Sequence, residues 1–359
     1  MKAADNLVSQ VLRHPQMAVS LGLAEWDLLI RQARHADLLA RIYALLDEQD
    51  LLDSIPARAR AHLESADTVV KRHAQAIRRE VHNLRKALAT TGLPVILLKG
   101  AAYLMADLPP AKGRIFSDVD ILVPKEKLSQ AEAALRLHGW ASSQHDAYDQ
   151  RYYRIWMHEL PPMVHLKRQS VLDVHHNILP ESAHVHPDPA KLIESAESVG
   201  KDPSVKVLTP VDMVLHSATH LFHEGELEHG LRDLADLDSL LRHFADSPSF
   251  WSALVARAQE LELTRPLFYA LRYANLILDT PLPESASINQ SAPKPSWPLA
   301  TIMDALYGRA LAPVHPSCSD WLTGTARWLL YLRAHWLRMP PWLLVRHLFH
   351  KAFLTPKHP

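Results

Sequence analysis

The 359 residues carry 39 basic and 39 acidic side chains, so the chain has no net pull on a polyanion and nucleic acid is not the expected partner. Its single cysteine, Cys318, excludes a disulfide framework and any multi-cysteine zinc site. No basic-then-apolar leader opens the sequence and no uncharged apolar run reaches membrane-spanning length, so a globular, cytoplasmic protein is expected.

Residues 1–90 read as an N-terminal helical region. Apolar residues recur at helical spacing from Trp26 through Ile30 and on to Leu38, Leu39, Ile42, Leu45 and Leu46. Pro56 marks a break, and Ala57–Ala89 is a charged amphipathic run leading straight into an apolar strand. Nothing in this region suggests chemistry, and packing is its expected role.

Residues 91–205 read as a mixed α/β core. Leu93–Leu98 is a short apolar strand that runs into Lys99-Gly100 and a helix-like stretch. A glycine there lets backbone N–H groups approach a phosphate, a helix N-terminus favours an anion, and Lys99 adds a point charge. The same dipeptide also suits an ordinary strand-to-helix turn.

Next comes Arg114-Ile115-Phe116-Ser117-Asp118-Val119-Asp120-Ile121-Leu122-Val123. Strand alternation points Asp118 and Asp120 to one face and Val119 and Ile121 to the other. Neighbouring carboxylates repel and call for a cation, and such hard oxygen ligands suit Mg²⁺ or Mn²⁺ in company with a substrate's phosphates. A wet edge strand carrying two acids for solubility is the plainer alternative.

Pro124 opens a helix over Lys125–His138 with Leu128, Ala131, Ala134 and Leu135 on one stripe, closed by Gly139. Tyr152–Met157 and Met163–Leu166 read as strands of a meander, joined through Lys167-Arg168-Gln169 to Ser170–Ile178. In that last strand Leu172 and Val174 share one face while Asp173 and His175 share the other, which lets His175 orient Asp173. A mid-strand aspartate is costly unless paired or bound to metal. Three carboxylates on neighbouring strands suffice for two metal ions.

Residues 206–280 read as a helical domain lining the cleft, opening at Thr209-Pro210-Val211-Asp212. His216 and His220, four apart, either bind zinc with a third ligand or line the cleft with Arg232 and Asp233. Residues 281–298 form an expected flexible linker, rich in proline, serine and alanine. The last block, 299–359, is helical, basic and aromatic, with no acid after Asp320. Its stretch 321–354 interleaves Arg327, Arg333, Arg338, Arg346 and Lys351 with Trp328, Trp336, Trp342 and Phe349. It reads either as a helix pair broken at Pro340-Pro341 with arginines outward, or as a contact for an anionic membrane surface or a protein partner.

The order Lys-Gly, then Arg-x-x-Ser-Asp-x-Asp, then Asp-x-His resembles the nucleotidyltransferase superfamily related to DNA polymerase beta. More narrowly it is similar to the bacterial group called uncharacterised nucleotidyltransferases, through Leu98-Lys99-Gly100, Arg114 to Leu122 and Gly139-Trp140. The resemblance covers roughly residues 90 to 245. It implies an α+β fold, a nucleotidyltransferase-like mixed sheet flanked by helical regions. It also implies transfer of a nucleoside monophosphate from an NTP to a hydroxyl or phosphate acceptor, with Mg²⁺ or Mn²⁺ as cofactor. Asp118, Asp120 and Asp173 would be the catalytic metal ligands, with Lys99, Gly100, Arg114, Ser117, His175, His220 and Arg232 binding substrate. Gly100-Ala101 replaces the superfamily's Gly-Ser or Gly-Gly, so a serine contact to the triphosphate is missing.

Three other functions fit parts of the pattern. One is a nucleotide- or partner-binding module without catalysis, and another a toxin-like or regulatory transferase that modifies protein or RNA. The third is a metal phosphohydrolase built on the helical histidines, which normally needs an adjacent His-Asp pair; the chain offers His145-Asp146 in a polar loop.

Overall fold

The computed structural model describes residues 6–143, 147–200, 202–223, 225, 227–283 and 296–340, apart from the side chains at 147, 148, 149, 152 and 155. Four helices come first: α1 (Leu7–Arg13), α2 (Leu23–His35), α3 (Leu39–Asp47) and α4 (Ala57–Leu88). The mixed region follows with β1 (Val95–Leu98), α5 (Lys99–Met105), β2 (Asp118–Leu122), α6 (Leu128–Leu137), β3 (Trp140–Ser142), α7 (Ala147–Trp156), β4 (Met163–His165), β5 (Val171–His175), α8 (Pro189–Ser195), β6 (Glu197–Val199) and β7 (Asp202–Val207). Helices close the described chain: α9 (Pro210–His223), α10 (Gly230–Phe244), α11 (Phe250–Glu260), α12 (Thr264–Leu278), α13 (Trp297–Ala310) and α14 (Thr323–Arg338).

The strands form one mixed α+β sheet in the order β3-β4-β5-β2-β1-β7-β6. β2 pairs parallel with β5 and antiparallel with β1, while β7 pairs parallel with β1. All four residues of β1 are buried, as an apolar strand in mid-sheet must be. Its cover comes from α4 and α5, which both pack on β1 and β2. The 32-residue α4 buries Leu63, Val70, Ile77, Val81, Leu84 and Leu88 along one stripe, so its first half holds α3 and its second half the sheet. A single hydrophobic cluster runs from Val8 in α1 through the sheet to Leu330 in α14.

One element differs in kind from expectation. Tyr152–Met157, expected as a strand, lies in α7 and the turn after it. Helical spacing turns Tyr153 and Met157 to the central cavity. Gln150 and Arg154 also lie four apart, joined by a hydrogen bond of 3.1 Å, and Arg154 grips Glu132 of α6 through bonds of 2.8 and 2.7 Å. A strand would separate these partners. The expected helix Lys125–His138 is a 3₁₀ turn (Lys125–Lys127) followed by α6, and Gly139 closes it with φ +92°.

The C-terminal helix also reverses an expectation. Its arginines turn inward: Arg333 donates to the Phe222 carbonyl oxygen at 2.9 Å and stands 5.3 Å from the Tyr269 ring. Trp321, just ahead of the helix, and Trp328 and Trp336 on it are exposed, at 87%, 58% and 56%. Most of the expected linker (284–295) and everything after 340 lie outside the described residues. Among the described residues, no helix is long and apolar enough to cross a membrane.

α4 is pinned to the β4–β5 turn by Glu80, which accepts from Arg168 at 2.8 and 2.6 Å while buried. Glu80→Ala should lower unfolding free energy by about 2 kcal/mol, toward the low end for a broken buried pair because Arg168 regains water. Urea denaturation checks it, and a loss under about 0.5 kcal/mol would mean the pair is idle.

Candidate active site

The register of β2 against β5 sets the site. Asp120 lies directly opposite Asp173, and Leu98, the last residue of β1, lies opposite Asp120 from the other side. Two carboxylates are therefore held on adjacent strands, about 4.8 Å apart in strand spacing, with Asp118 two residues earlier on β2. They open into a cavity of about 430 Å³. Lys99, Gly100, Arg114, Ser117, Asp118, Asp120, Asp173, His175, His220 and Arg232 all line it, as does Asp233.

Asp120 is buried, at 4% exposure. It accepts a hydrogen bond from Lys99 Nζ at 3.2 Å and pairs with His175 Nε2 at 3.0 Å. Burial opposes its ionisation, but the Lys99 charge and the His175 contact hold it well below the usual carboxylate range. Asp173 goes the other way: burial first, then the charges of Asp120 and Glu159, push it up to about 7. Its Oδ1 is buried and, among the described residues, finds no hydrogen-bond donor. An orphaned carboxylate oxygen beside an ionised neighbour is the arrangement a divalent cation resolves, so the donor set fits Mg²⁺ or Mn²⁺. His175 serves Asp120, not Asp173 as its strand face suggested; its Nδ1 stands 3.3 Å from Glu159.

Lys99 reaches Asp120 from a left-handed backbone, φ +46°, a conformation costing a non-glycine residue about 1–3 kcal/mol. The Lys-Gly junction does something more specific than turn. A Cβ on Gly100 would come within 2.3 Å of Arg114 Nη1 and 3.1 Å of the Phe116 ring. Arg114 cannot easily yield, because its Nε donates to Asp236 at 2.8 Å and its Nη1 to the Ile115 carbonyl oxygen at 3.3 Å. Asp236 also accepts from Arg41 at 2.7 Å. Burial opposes the Arg114 charge, but Asp236 and Asp233 raise its pKa further.

Around the mouth, Ser117 Oγ donates to Asp118 at 2.9 Å. Arg232 donates to Asp233 at 3.0 Å and stands 3.6 Å from Asp37. The two histidines of α9 separate in role: His220 lines the cavity, whereas His216 is buried behind it and pushed down to about 3 by burial and the nearby Lys99 charge. Among the described residues the grouping able to hold a metal through His ligands is His158, Glu159 and His175, which includes neither. The zinc reading of His216 and His220 is thus not supported, and His145-Asp146 lies outside the described residues.

Several wall residues were not anticipated. Asp37 comes from the region expected only to pack, as does Arg41, which holds the wall residue Asp236, and Arg338, whose buried Nε finds no acceptor among the described residues, comes from α14. Asp236 had a signal: it lies four residues from Arg232 on one helix, so both share a face. Asp37, in a short turn at φ +54°, had none.

A family model described as Uncharacterised nucleotidyltransferase matches residues 23–279, well over half the chain. The chain belongs to that family. No curated protein matches it. The match to the nucleotidyltransferase family is wider than the motifs alone implied, running from α2 through α12. It takes in Asp37, Arg41 and Asp236, while Arg338 is contributed from beyond it.

Two substitutions probe the site without substrate. Asp173 has a folded pKa of about 7, above the unfolded value of about 3.9. Its ionisation costs nothing below pH 4, a growing amount from pH 4 to 7, and the full amount above 7. Asp173→Asn should therefore stabilise the metal-free protein at pH 8 by on the order of 2 kcal/mol, with the gain vanishing near pH 4. Denaturation in EDTA at both pH values checks the sign. Gly100→Ala should destabilise by about 1–3 kcal/mol through the clash with Arg114, despite alanine's better helix propensity. A gain in thermal midpoint would show that Arg114 moves aside freely.

Proposed function

We propose that this chain transfers a nucleoside monophosphate from an NTP to a hydroxyl or phosphate acceptor on a small molecule or peptide. The observation that carries the reading is the in-register pair Asp120–Asp173, with Asp118 beside it and an orphaned oxygen on Asp173. Asp118, Asp120 and Asp173 would hold Mg²⁺ or Mn²⁺. When bound, two such ions neutralise phosphate oxygens and make the acceptor hydroxyl a better nucleophile.

The chain's own residues account for the rest. Lys99, already on Asp120, faces the same cavity and would neutralise triphosphate charge together with Arg232 and Arg338. Arg114, locked on Asp236, shapes the wall beneath Gly100 and contributes its field. Ser117 would hold the rotamer of Asp118, and His175 that of Asp120. The acceptor oxygen, a hydroxyl giving up its proton to solvent, bonds to the α-phosphorus, the bond to the bridging oxygen breaks, and pyrophosphate leaves with that electron pair. His220 lines the same cavity and would contact base or acceptor.

A protein acceptor is the second reading, favoured by the exposed tryptophans of the C-terminal helix, which suit a partner or a membrane surface.

Calorimetric titration of ATP, GTP, CTP and UTP with Mg²⁺ tests the proposal. One nucleotide should bind in a metal-dependent way, and binding should weaken at least about a hundredfold in Asp118→Asn/Asp120→Asn. Equal binding with EDTA, or in the double variant, would sink the metal-dependent transferase reading.

A further inference from the structure

Among the cavity residues to which the transfer chemistry gives no task, two adjoin the acidic strands. His158 and Glu159 stand on the segment that runs beside the end of β5. The His176 N–H donates to the His158 carbonyl oxygen at 2.8 Å, the Leu160 N–H to the Val174 oxygen at 2.8 Å, and Glu159 faces His175 across an isolated antiparallel bridge. Two backbone bonds thus fix a second array beside the aspartates. One ligating atom from each of His158, Glu159 and His175 lies within 4.8 Å of the other two. Both imidazoles are buried, and Glu159 is half-buried at the cavity wall.

We propose that His158, Glu159 and His175 form a second cation site, suited to a borderline transition metal such as Zn²⁺ and separate from the carboxylate site. Two imidazoles and one carboxylate are the donor set of three-ligand zinc centres, whereas Mg²⁺ prefers oxygen throughout. His175 decides the geometry. Its Nε2 meets Asp120 at 3.0 Å and its Nδ1 faces Glu159 at 3.3 Å. With the proton on Nε2, donated to Asp120, the Nδ1 lone pair is presented to an ion lying between Glu159 and His158. This is the carboxylate–imidazole–metal chain that fixes a ligating histidine's tautomer. The ion takes the place of a proton on Nδ1, which is released to solvent.

Ligand bonds of about 2.1 Å set tetrahedral edges of about 3.4 Å, so the three side chains close inward on the ion. Three protein ligands leave a fourth position, and all three side chains line the cavity, so that position faces substrate. The site is joined to the acidic trio through one imidazole shared with Asp120. The assignment rests on the transferase reading for that link alone, since the ion's own binding needs no nucleotide.

Co²⁺, which absorbs visibly in tetrahedral sites, is the probe. It is titrated into the full chain held in excess Mg²⁺, with Zn²⁺ as competitor. The expected result is one visible band saturating at one Co²⁺ per chain and bleached by Zn²⁺. His158→Ala and Glu159→Gln should each weaken Co²⁺ by more than about a hundredfold, beyond the loss typical of an outer hydrogen-bond partner. Asp118→Asn should retain the band. Thermal midpoints report folding, and His158→Gln replaces His158→Ala if the latter unfolds. The site is overturned by no band in the wild type, by a band that survives both substitutions, or by a band lost in Asp118→Asn but kept in His158→Ala. Nucleotide binding separates the two claims. Co²⁺ bound without nucleotide binding fails only the transferase, and nucleotide bound without Co²⁺ fails only this site.

Discussion

Asp120 and Asp173 face each other across a parallel strand pair, where neither carboxylate can move away without tearing the centre of the sheet. Their repulsion is a fixed cost of the fold, and the surroundings divide it unequally. Lys99 and His175 serve Asp120, so that one ionises readily, while Asp173 keeps an oxygen with no partner. The asymmetry depends on Lys99 turning left-handed at the end of β1, which brings its ammonium back over the neighbouring strand. The apolar cover given by α4 and α5 keeps the strands from separating and the carboxylates from spreading into water.

A second buried charge cluster holds the walls. Asp236 accepts from Arg41 of α3 and from Arg114 ahead of β2, joining α10, an N-terminal helix and the loop before the acidic strand. The carboxylate is the keystone of the three, since removing Asp236 would leave two buried guanidiniums facing each other. Gly100 belongs to this cluster as much as to the phosphate side, because the guanidinium of Arg114 occupies the space a side chain would need.

The sheet and the acidic face were legible because both rest on local spacing. Period-two alternation in Asp118–Leu122 and Val171–His175 declares which side chains share a face, and flanking apolar runs declare burial. What stayed hidden depends on pairing across long stretches of sequence. Nothing near Asp37 announces that it will meet Arg232, and the preference of Tyr152–Met157 for a helix follows from Glu132 on another element. The C-terminal helix misled because arginine density suggests a wet face. Here the guanidiniums found a carbonyl and an aromatic ring inside, and the indoles took the surface.

The cavity wall begins at Asp37 and ends at Arg338. Its chemistry is thus spread over about three hundred residues of chain. While the chain is still on the ribosome, the strands bearing the aspartates emerge well before the helix that supplies Arg338, and until then the cavity lacks that guanidinium. A nascent chain therefore carries the acidic residues before it carries Arg338, and this last cation joins the wall only after α14 has been made and folded back.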